Sequence, residues 1–301
     1  MQVSSDALSK RLPAMALRRA KAYLDLTKPT IQLLVVLTGA AALVYDGSLL
    51  LRPERFALAL FALALSAGSA KALNQYIERH VDARMERTRF SRPLPRGSIA
   101  PAEALVFALI LGIVATALFA YFFNPLSAIL AVATISFYSL FYTLYLKPNT
   151  PFSIVIGGIA GSMGPVISWA ATGSPLSGVT LLMFLVVFCW TPPHFWALAY
   201  CHQEDFKKAG YPMLPNMVSR QRFWRLTWLG GAMTLVASLA LGFVGAGIRY
   251  LAIASISGII FLRQIREAGK ADSLEKARGV FIYSMVYLVV LFAALIVDRV
   301  M

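Results

Sequence analysis

Asn74, Glu78 and Asp82 stand four residues apart. On a helix each step of four drifts by only about 40°, so an amide oxygen and two carboxylates share one face over about 12 Å. Hard oxygen donors of this kind suit Mg2+, whereas zinc takes His and Cys. A solvated helix end is the plain alternative. Lys71 lies on the same stripe; His80 falls on the opposite side and stays outside the metal shell. A second polar patch reads Tyr200-Cys201-His202-Gln203-Glu204-Asp205. Asp205 stacks above His202 at i, i+3, and His194 lies deeper on the same stripe if the helix continues past Thr191-Pro192-Pro193. Two adjacent prolines are expected to kink or interrupt that helix, and such a break is tolerated in a membrane where a cavity or a neighbour resatisfies the backbone.

Between these patches Arg87, Arg89, Arg92 and Arg96 stand among Pro93 and Pro95, too Pro-rich for a long helix. Guanidinium groups clustered beside a metal site suit a diphosphate: the cation bridges some oxygens and bidentate hydrogen bonds hold others. Part of this basic charge has a simpler source, the rule that keeps Lys and Arg on the cytoplasmic side of membrane proteins.

The elements that must carry these residues are membrane helices. Of the 301 residues 58% are hydrophobic and only 14% charged, and mean hydropathy is +0.69. That excess is too large for one buried core and excludes a disordered chain, a disulfide scaffold and an ordinary soluble enzyme. Apolar runs of about 20 residues, with no alternation, exclude a transmembrane barrel. Nine spans are predicted, near 29–46, 54–78, 101–123, 126–146, 153–171, 176–201, 222–243, 248–265 and 277–298. With the N-terminus in the cytoplasm, 23 Lys and Arg fall inside and four outside. The far end of the chain then lies on the opposite side, and the net charge of +14 reads as contact with anionic lipid, with no nucleic-acid partner. Residues 1–28 form a cytoplasmic N-terminal segment, with an interfacial helix over 7–27 and no cleavable leader; 29–298 form one transmembrane domain. Cys189 and Cys201 make no disulfide framework. Gly157 and Gly161 form a small-xxx-small pair for close helix packing, or a flat wall beside a planar ligand.

Several blocks, in order, resemble the UbiA-type intramembrane prenyltransferases and, within them, the heme-farnesylating branch. They are Asn74-Gln75-Tyr76-Ile77, Asp82-Ala83-Arg84-Met85-Glu86-Arg87-Thr88, Arg92-Pro93-Leu94-Pro95, Tyr142-Thr143 with Leu146-Lys147, Ile156-Gly157-Gly158, Trp190 to Ala199, and Pro212-Met213-Leu214-Pro215. The resemblance covers roughly 25–298. It implies an all-α, polytopic bundle of nine transmembrane helices in a bacterial cytoplasmic (inner) membrane. It further implies Mg2+ held by Asn74, Glu78 and Asp82 with Asp205, and diphosphate held by Arg87, Arg92 and Lys147. Farnesyl diphosphate would alkylate a vinyl group of protoheme IX (heme B), with water addition, to give heme O for heme-copper oxidases and for a downstream heme A synthase. His194 or His202 would bind the heme. The sequence departs from the pattern at Glu78, where Asp is common, at His80, where a further Asp is usual, and at Ser162-Met163-Gly164, where the family is richer in Pro. Rival readings are prenylation of another aromatic acceptor, such as a hydroxybenzoate or quinone precursor, a heme or lipid transporter, and a structural assembly subunit. Acids and Arg gathered at one face, not at the midplane, favour the enzyme.

Overall fold

The computed structural model describes residues 5–300, with side-chain surroundings from residue 16 onward. Helix starts follow the local sequence. Proline stands at the head of α2 (Pro29–Asp46), α3 (Pro53–Asp82), α5 (Pro101–Phe122) and α6 (Pro125–Ser136), where its missing N–H costs nothing. Asn124 caps α6 by accepting from Ser127 N at 2.9 Å, which makes the tight turn between α5 and α6. Gly47 ends α2 at φ 84°, a left-handed conformation that favours glycine.

The remaining long elements are α1 (Ser5–Thr27), α8 (Ser153–Gly161), α9 (Met163–Thr172), α10 (Gly178–Cys201), α13 (Arg220–Gly245), α14 (Ile248–Ala271) and α15 (Leu274–Val300). Short helices α4 (Glu86–Arg89), α7 (Lys147–Asn149), α11 (Gln203–Lys208) and α12 (Leu214–Met217) lie between them. Among the described residues nine helical segments are long and apolar enough to cross a membrane, and each matches a predicted span. α3 packs on α5, α10 on α13 and α15, and α2 on α9 and α15. Val106, Ile110 and Ile113 of α5 are exposed, as expected of a helix whose outer solvent is lipid.

Three local features differ from the sequence reading. The expected interruption at Pro192-Pro193 does not occur; α10 runs through it. Two backbone donors are lost, but Thr191 Oγ1 donates to Val187 O at 2.8 Å, and Pro193 seats against Gly230 of α13, where a Cβ would lie 3.0 Å from Pro193 Cδ. The predicted span 126–146 is not one regular helix: Phe137–Leu146 is a π-helix between α6 and α7. The predicted span 153–171 divides at Gly161-Ser162 into α8 and α9. Gly157 and Gly161 also do not form a helix–helix seam. A Cβ at Gly157 would lie 2.3 Å from the Tyr142 ring, whereas one at Gly161 would meet nothing within 4 Å. Gly157 makes room for a tyrosine, and Gly161 lies on the wall of an internal cavity.

The C-terminal end of α1 packs against the bundle. Ala22 and Leu26 are buried in a cluster with Ala72 of α3 and Ala104 and Ala108 of α5. Gln75 of α3 donates to the α1 carbonyls of Asp25 at 3.1 Å and Leu26 at 2.8 Å, satisfying two of the acceptors that a helix end leaves open. Lys28 then turns the chain at φ 52°, ψ 66°. The following Pro29 disfavours the right-handed helical region for Lys28. Replacing Gln75 with Leu should destabilise the protein by about 1–3 kcal/mol and speed proteolysis within residues 16–27. Thermal unfolding and limited digestion in detergent measure both.

Candidate active site

The Asn74–Glu78–Asp82 stripe forms as the spacing requires. All three are buried on the last turns of α3. Two buried carboxylates cannot stay ionised alone, because desolvation costs several kcal/mol per ion. Each is matched here. Lys147 donates to Glu78 Oε1, and Arg92 donates to Asp82 Oδ2 and stands 3.5 Å from Glu78 Oε2. Tyr211 adds a hydrogen bond to Glu78 Oε1 at 3.1 Å. Burial, and then the charge of Glu78, raises the Tyr211 phenol well above its ordinary range, so it remains a donor. Asn74 Nδ2 donates to Thr143 Oγ1 at 3.1 Å. The Asn74 oxygen makes no hydrogen bond among the described residues.

The local fold explains how four segments meet. After α3 the chain turns through α4, and Thr88 Oγ1 donates to Asp82 O at 2.8 Å, which folds the arginine-bearing loop back over the stripe. Asp205 fixes the same loop from the other side: its two oxygens accept from the backbone N–H groups of Glu86 at 3.2 Å and Arg87 at 3.0 Å. In the π-helix Thr143 Oγ1 donates to Tyr138 O at 2.8 Å, and the helix delivers Lys147 at its end. Such i, i+5 turns are rare and recur at functional sites.

Below this cap lies a cavity of about 300 Å3. Its polar lip includes Asn74, Arg87, Arg92 and Lys147, while Glu78 and Asp82 sit behind the cations. Its depth is apolar, with Leu34, Leu63 and Leu288 among the walls. Small-molecule sites commonly combine a few convergent polar groups with such a wall. Of the sequence-predicted residues, Asn74, Arg87, Arg92, Lys147 and His194 line this cavity, and Glu78 and Asp82 back it. Asp205 is engaged on the α4 backbone. His202 is the C-cap of α10; it departs from the helical stripe and is not part of the cavity wall. Burial, then the charge of Arg87, lowers its pKa.

Residues to which the sequence reading gave no role in the site also converge here. Lys28 reaches the cavity through its left-handed turn, a position signalled only by the Lys-Pro pair at a span's start. Lys71 donates to the Tyr138 hydroxyl at 2.8 Å and sits 4.2 Å from that ring's centroid. Tyr211 had no sequence signal, since it arrives from a distant loop.

The chemistry of the donor set suits Mg2+. Among the described residues no three acidic, His or Cys side chains form a metal cage. Two carboxylates and an amide with a free oxygen do meet the needs of Mg2+. This ion usually keeps waters and binds through one or two carboxylates plus substrate phosphates.

Residues 33–295 match the sequence profile of the UbiA prenyltransferase family. The chain belongs to this family. Among its UbiA relatives, the protoheme IX farnesyltransferase of Aromatoleum aromaticum is 44% identical over 289 residues, covering 94% of each chain. That of Azoarcus is 42% identical over 94% of this chain and 95% of its own. Among solved structures, digeranylgeranylglyceryl phosphate synthase has a TM-score of 0.75 at 20% identity, covering 94% of this chain and 99% of that one. A UbiA homologue of Archaeoglobus fulgidus bound to GPP and Mg2+ has a TM-score of 0.68 at 17% identity, covering 91% and 99%. At these identities the two structures bear on the UbiA fold alone.

The charge balance of the cap yields a stability prediction. Lys147→Met leaves Glu78 buried with its main partner gone and should cost about 3–5 kcal/mol. Adding Glu78→Gln to that variant should recover at least half of the loss. Thermal unfolding of both variants in one detergent measures the difference.

Proposed function

We propose that this protein transfers the farnesyl group of farnesyl diphosphate to a vinyl group of protoheme IX, with addition of water, giving heme O and diphosphate. The observation that carries the reading is the placement of Arg92 and Lys147, held on buried carboxylates, at the mouth of an apolar cavity. That is a binding site for an anionic head with a long hydrocarbon tail. The named activity of relatives at 42–44% identity over nearly the whole chain supports protoheme as the acceptor. We assign residues 29–298 to one transmembrane catalytic domain and 1–28 to a cytoplasmic segment leading into it. The asymmetry of Lys and Arg supports a bacterial inner membrane with the cap on the cytoplasmic side and the C-terminus opposite. A heme A synthase would take up the product.

Arg92 and Lys147 bind the diphosphate oxygens, giving up their own carboxylates for a more highly charged partner, and Arg87, whose guanidinium lies near the Phe206 ring, joins them. Asn74, Glu78 and Asp82 would hold Mg2+, and Asp205 would join them only by releasing the Arg87 loop. Bound there, Mg2+ would neutralise charge on the leaving diphosphate. The C1–O bond of the farnesyl group breaks with its electron pair on the diphosphate. The terminal vinyl carbon bonds to C1, and positive charge forms on the carbon beside the porphyrin ring. Water adds there and its proton leaves to solvent. Apolar walls exclude water until that stage, so the allylic cation is not quenched early.

Purified protein given labelled farnesyl diphosphate should convert protoheme, and not hydroxybenzoate, to a farnesylated product visible by mass spectrometry. Prenylated phenol beside unmodified heme would overturn the acceptor. Asp82→Asn should lower turnover by about 100-fold or more while the protein stays folded at the assay temperature, as its thermal unfolding in detergent checks. Chelation should abolish turnover, and added Mg2+ should restore it.

A further inference from the structure

Two cations on the cavity wall take no part in the ion pairs of the cap. The carboxylates of the stripe are engaged by Arg92 and Lys147, and the imidazole of His194 is tied through Nδ1 to Ser284 Oγ at 2.7 Å. Lys28 and Lys71 line the same cavity, and among the described residues neither has a carboxylate within ion-pair distance. Burial, then the charge of Arg92, lowers the pKa of Lys28, which sets this residue beside the cap, where a diphosphate can reach it. Lys71 is different. It belongs to a membrane-spanning helix, where an ammonium without a counter-charge is costly and marks a ligand or ion site.

The one hydrogen bond of Lys71 is to a phenol. Nζ donates to the Tyr138 hydroxyl at 2.8 Å and sits 4.2 Å from the centroid of that ring. An aromatic face returns only part of what the cation loses on leaving water. The phenol is held from behind: Tyr138 stacks on Tyr142 at 5.2 Å and 26°, and Tyr142 fills the space that the missing side chain of Gly157 leaves open. This pair keeps donors free. An ammonium carries three protons, of which Lys71 uses one, and the Tyr138 oxygen accepts, so its own proton is uncommitted. Two neighbouring donors, one of them charged, match the two oxygens of one carboxylate.

Depth separates the pair from the diphosphate site. Lys71 precedes Glu78 by seven residues on α3, about 10 Å along a helix, and Tyr138 precedes Lys147 by nine residues along the π-helix. Between the two levels Asn74 meets Thr143. We propose that Lys71 and Tyr138 form a carboxylate subsite that holds a propionate of the acceptor porphyrin and so sets acceptor specificity. This rests on the reading of protoheme as acceptor. Protoheme carries its vinyl groups and its propionates on opposite edges of the macrocycle. A vinyl carbon can then face the farnesyl C1 beneath the cap while an acid lies one or two helical turns deeper. In hydroxybenzoate the carbon to be prenylated is two ring bonds from the carbon bearing the acid, too close to span the two levels. The bound carboxylate supplies the counter-charge that Lys71 lacks.

The test measures KM for protoheme and for its dimethyl ester, in which both propionates are masked, with the full chain in detergent and saturating farnesyl diphosphate. Wild type should prefer the acid by about tenfold. In Lys71→Met the KM for protoheme should rise to that of the ester, so that the preference disappears, while the KM for farnesyl diphosphate moves by less than about twofold. Lys71→Arg should restore the preference, and Tyr138→Phe, which keeps the ring, should reduce it about fivefold. Because acid and ester are compared in one preparation, the ratio does not depend on the fraction of folded protein, and the Arg and Phe variants carry the test if Lys71→Met does not fold. Equal KM for acid and ester in wild type overturns the subsite. A raised KM for farnesyl diphosphate in Lys71→Met with the acid preference intact overturns it in favour of the diphosphate. Wild type that prenylates hydroxybenzoate and leaves both porphyrins unmodified overturns the acceptor reading, and the occupant of the subsite with it, a result distinct from equal use of acid and ester.

Discussion

Ionised carboxylates inside a lipid-embedded bundle must carry their own counter-charges, and this constraint organises the polar end of the protein. Glu78 and Asp82 belong to one helix, Arg92 to the loop that follows it, Lys147 to the end of the π-helix and Tyr211 to a loop more than a hundred residues later. Apolar neighbours such as Met85, Leu94 and Met213 bury these segments in the core, but they do not dictate that the charged groups converge. The carboxylates gather them because the energy of an unmatched buried charge exceeds that of ordering a short loop. The arrangement also stores the cations where an anion can collect them. They face the cavity, and the groups that balance them lie behind.

Below the cap the chemistry changes within a few residues. Asn74 is the last member of the acidic stripe, and beyond it α3 lines the cavity with Lys71, which is held on Tyr138, and with small residues such as Ala70 and Ser66. The carboxylates and arginines thus stay at the mouth, and most of the remaining wall is apolar. Such a division suits a reaction that separates charge at one end and must keep water from the other.

Much of this was legible in the sequence. The nine spans follow from run length, because lipid demands about 20 apolar residues per crossing. The i, i+4 stripe follows from helix geometry alone. What escaped reading has physical causes in each instance. Pro192-Pro193 implies a break by local rules, but neighbours that seat the rings let α10 continue. Phe137 to Leu146 reads as an ordinary apolar helix, since hydropathy does not register whether a backbone bond spans four residues or five. The engagement of Asp205 with the α4 backbone, the clasp of Ser284 by His194 and the arrival of Tyr211 are long-range contacts with no local signature. Lys28 and Lys71 were visible as charges, yet which wall they face depends on packing.

The widened turns of the π-helix also set the phase of the chain that follows them. Phe137, Phe141 and Tyr145 form a ladder of rings 5.5 and 5.7 Å apart, and Tyr138 stacks on Tyr142 at 5.2 Å. A segment bonded five residues back holds one more residue per turn than the same rise would otherwise need. Over its ten residues this shifts the bearing of everything after it away from that of an ordinary helix. Lys147 therefore owes its bearing toward Glu78 to a phase offset accumulated upstream. Excising any one residue of the ladder would re-aim that ammonium while leaving every residue of the acidic stripe in place.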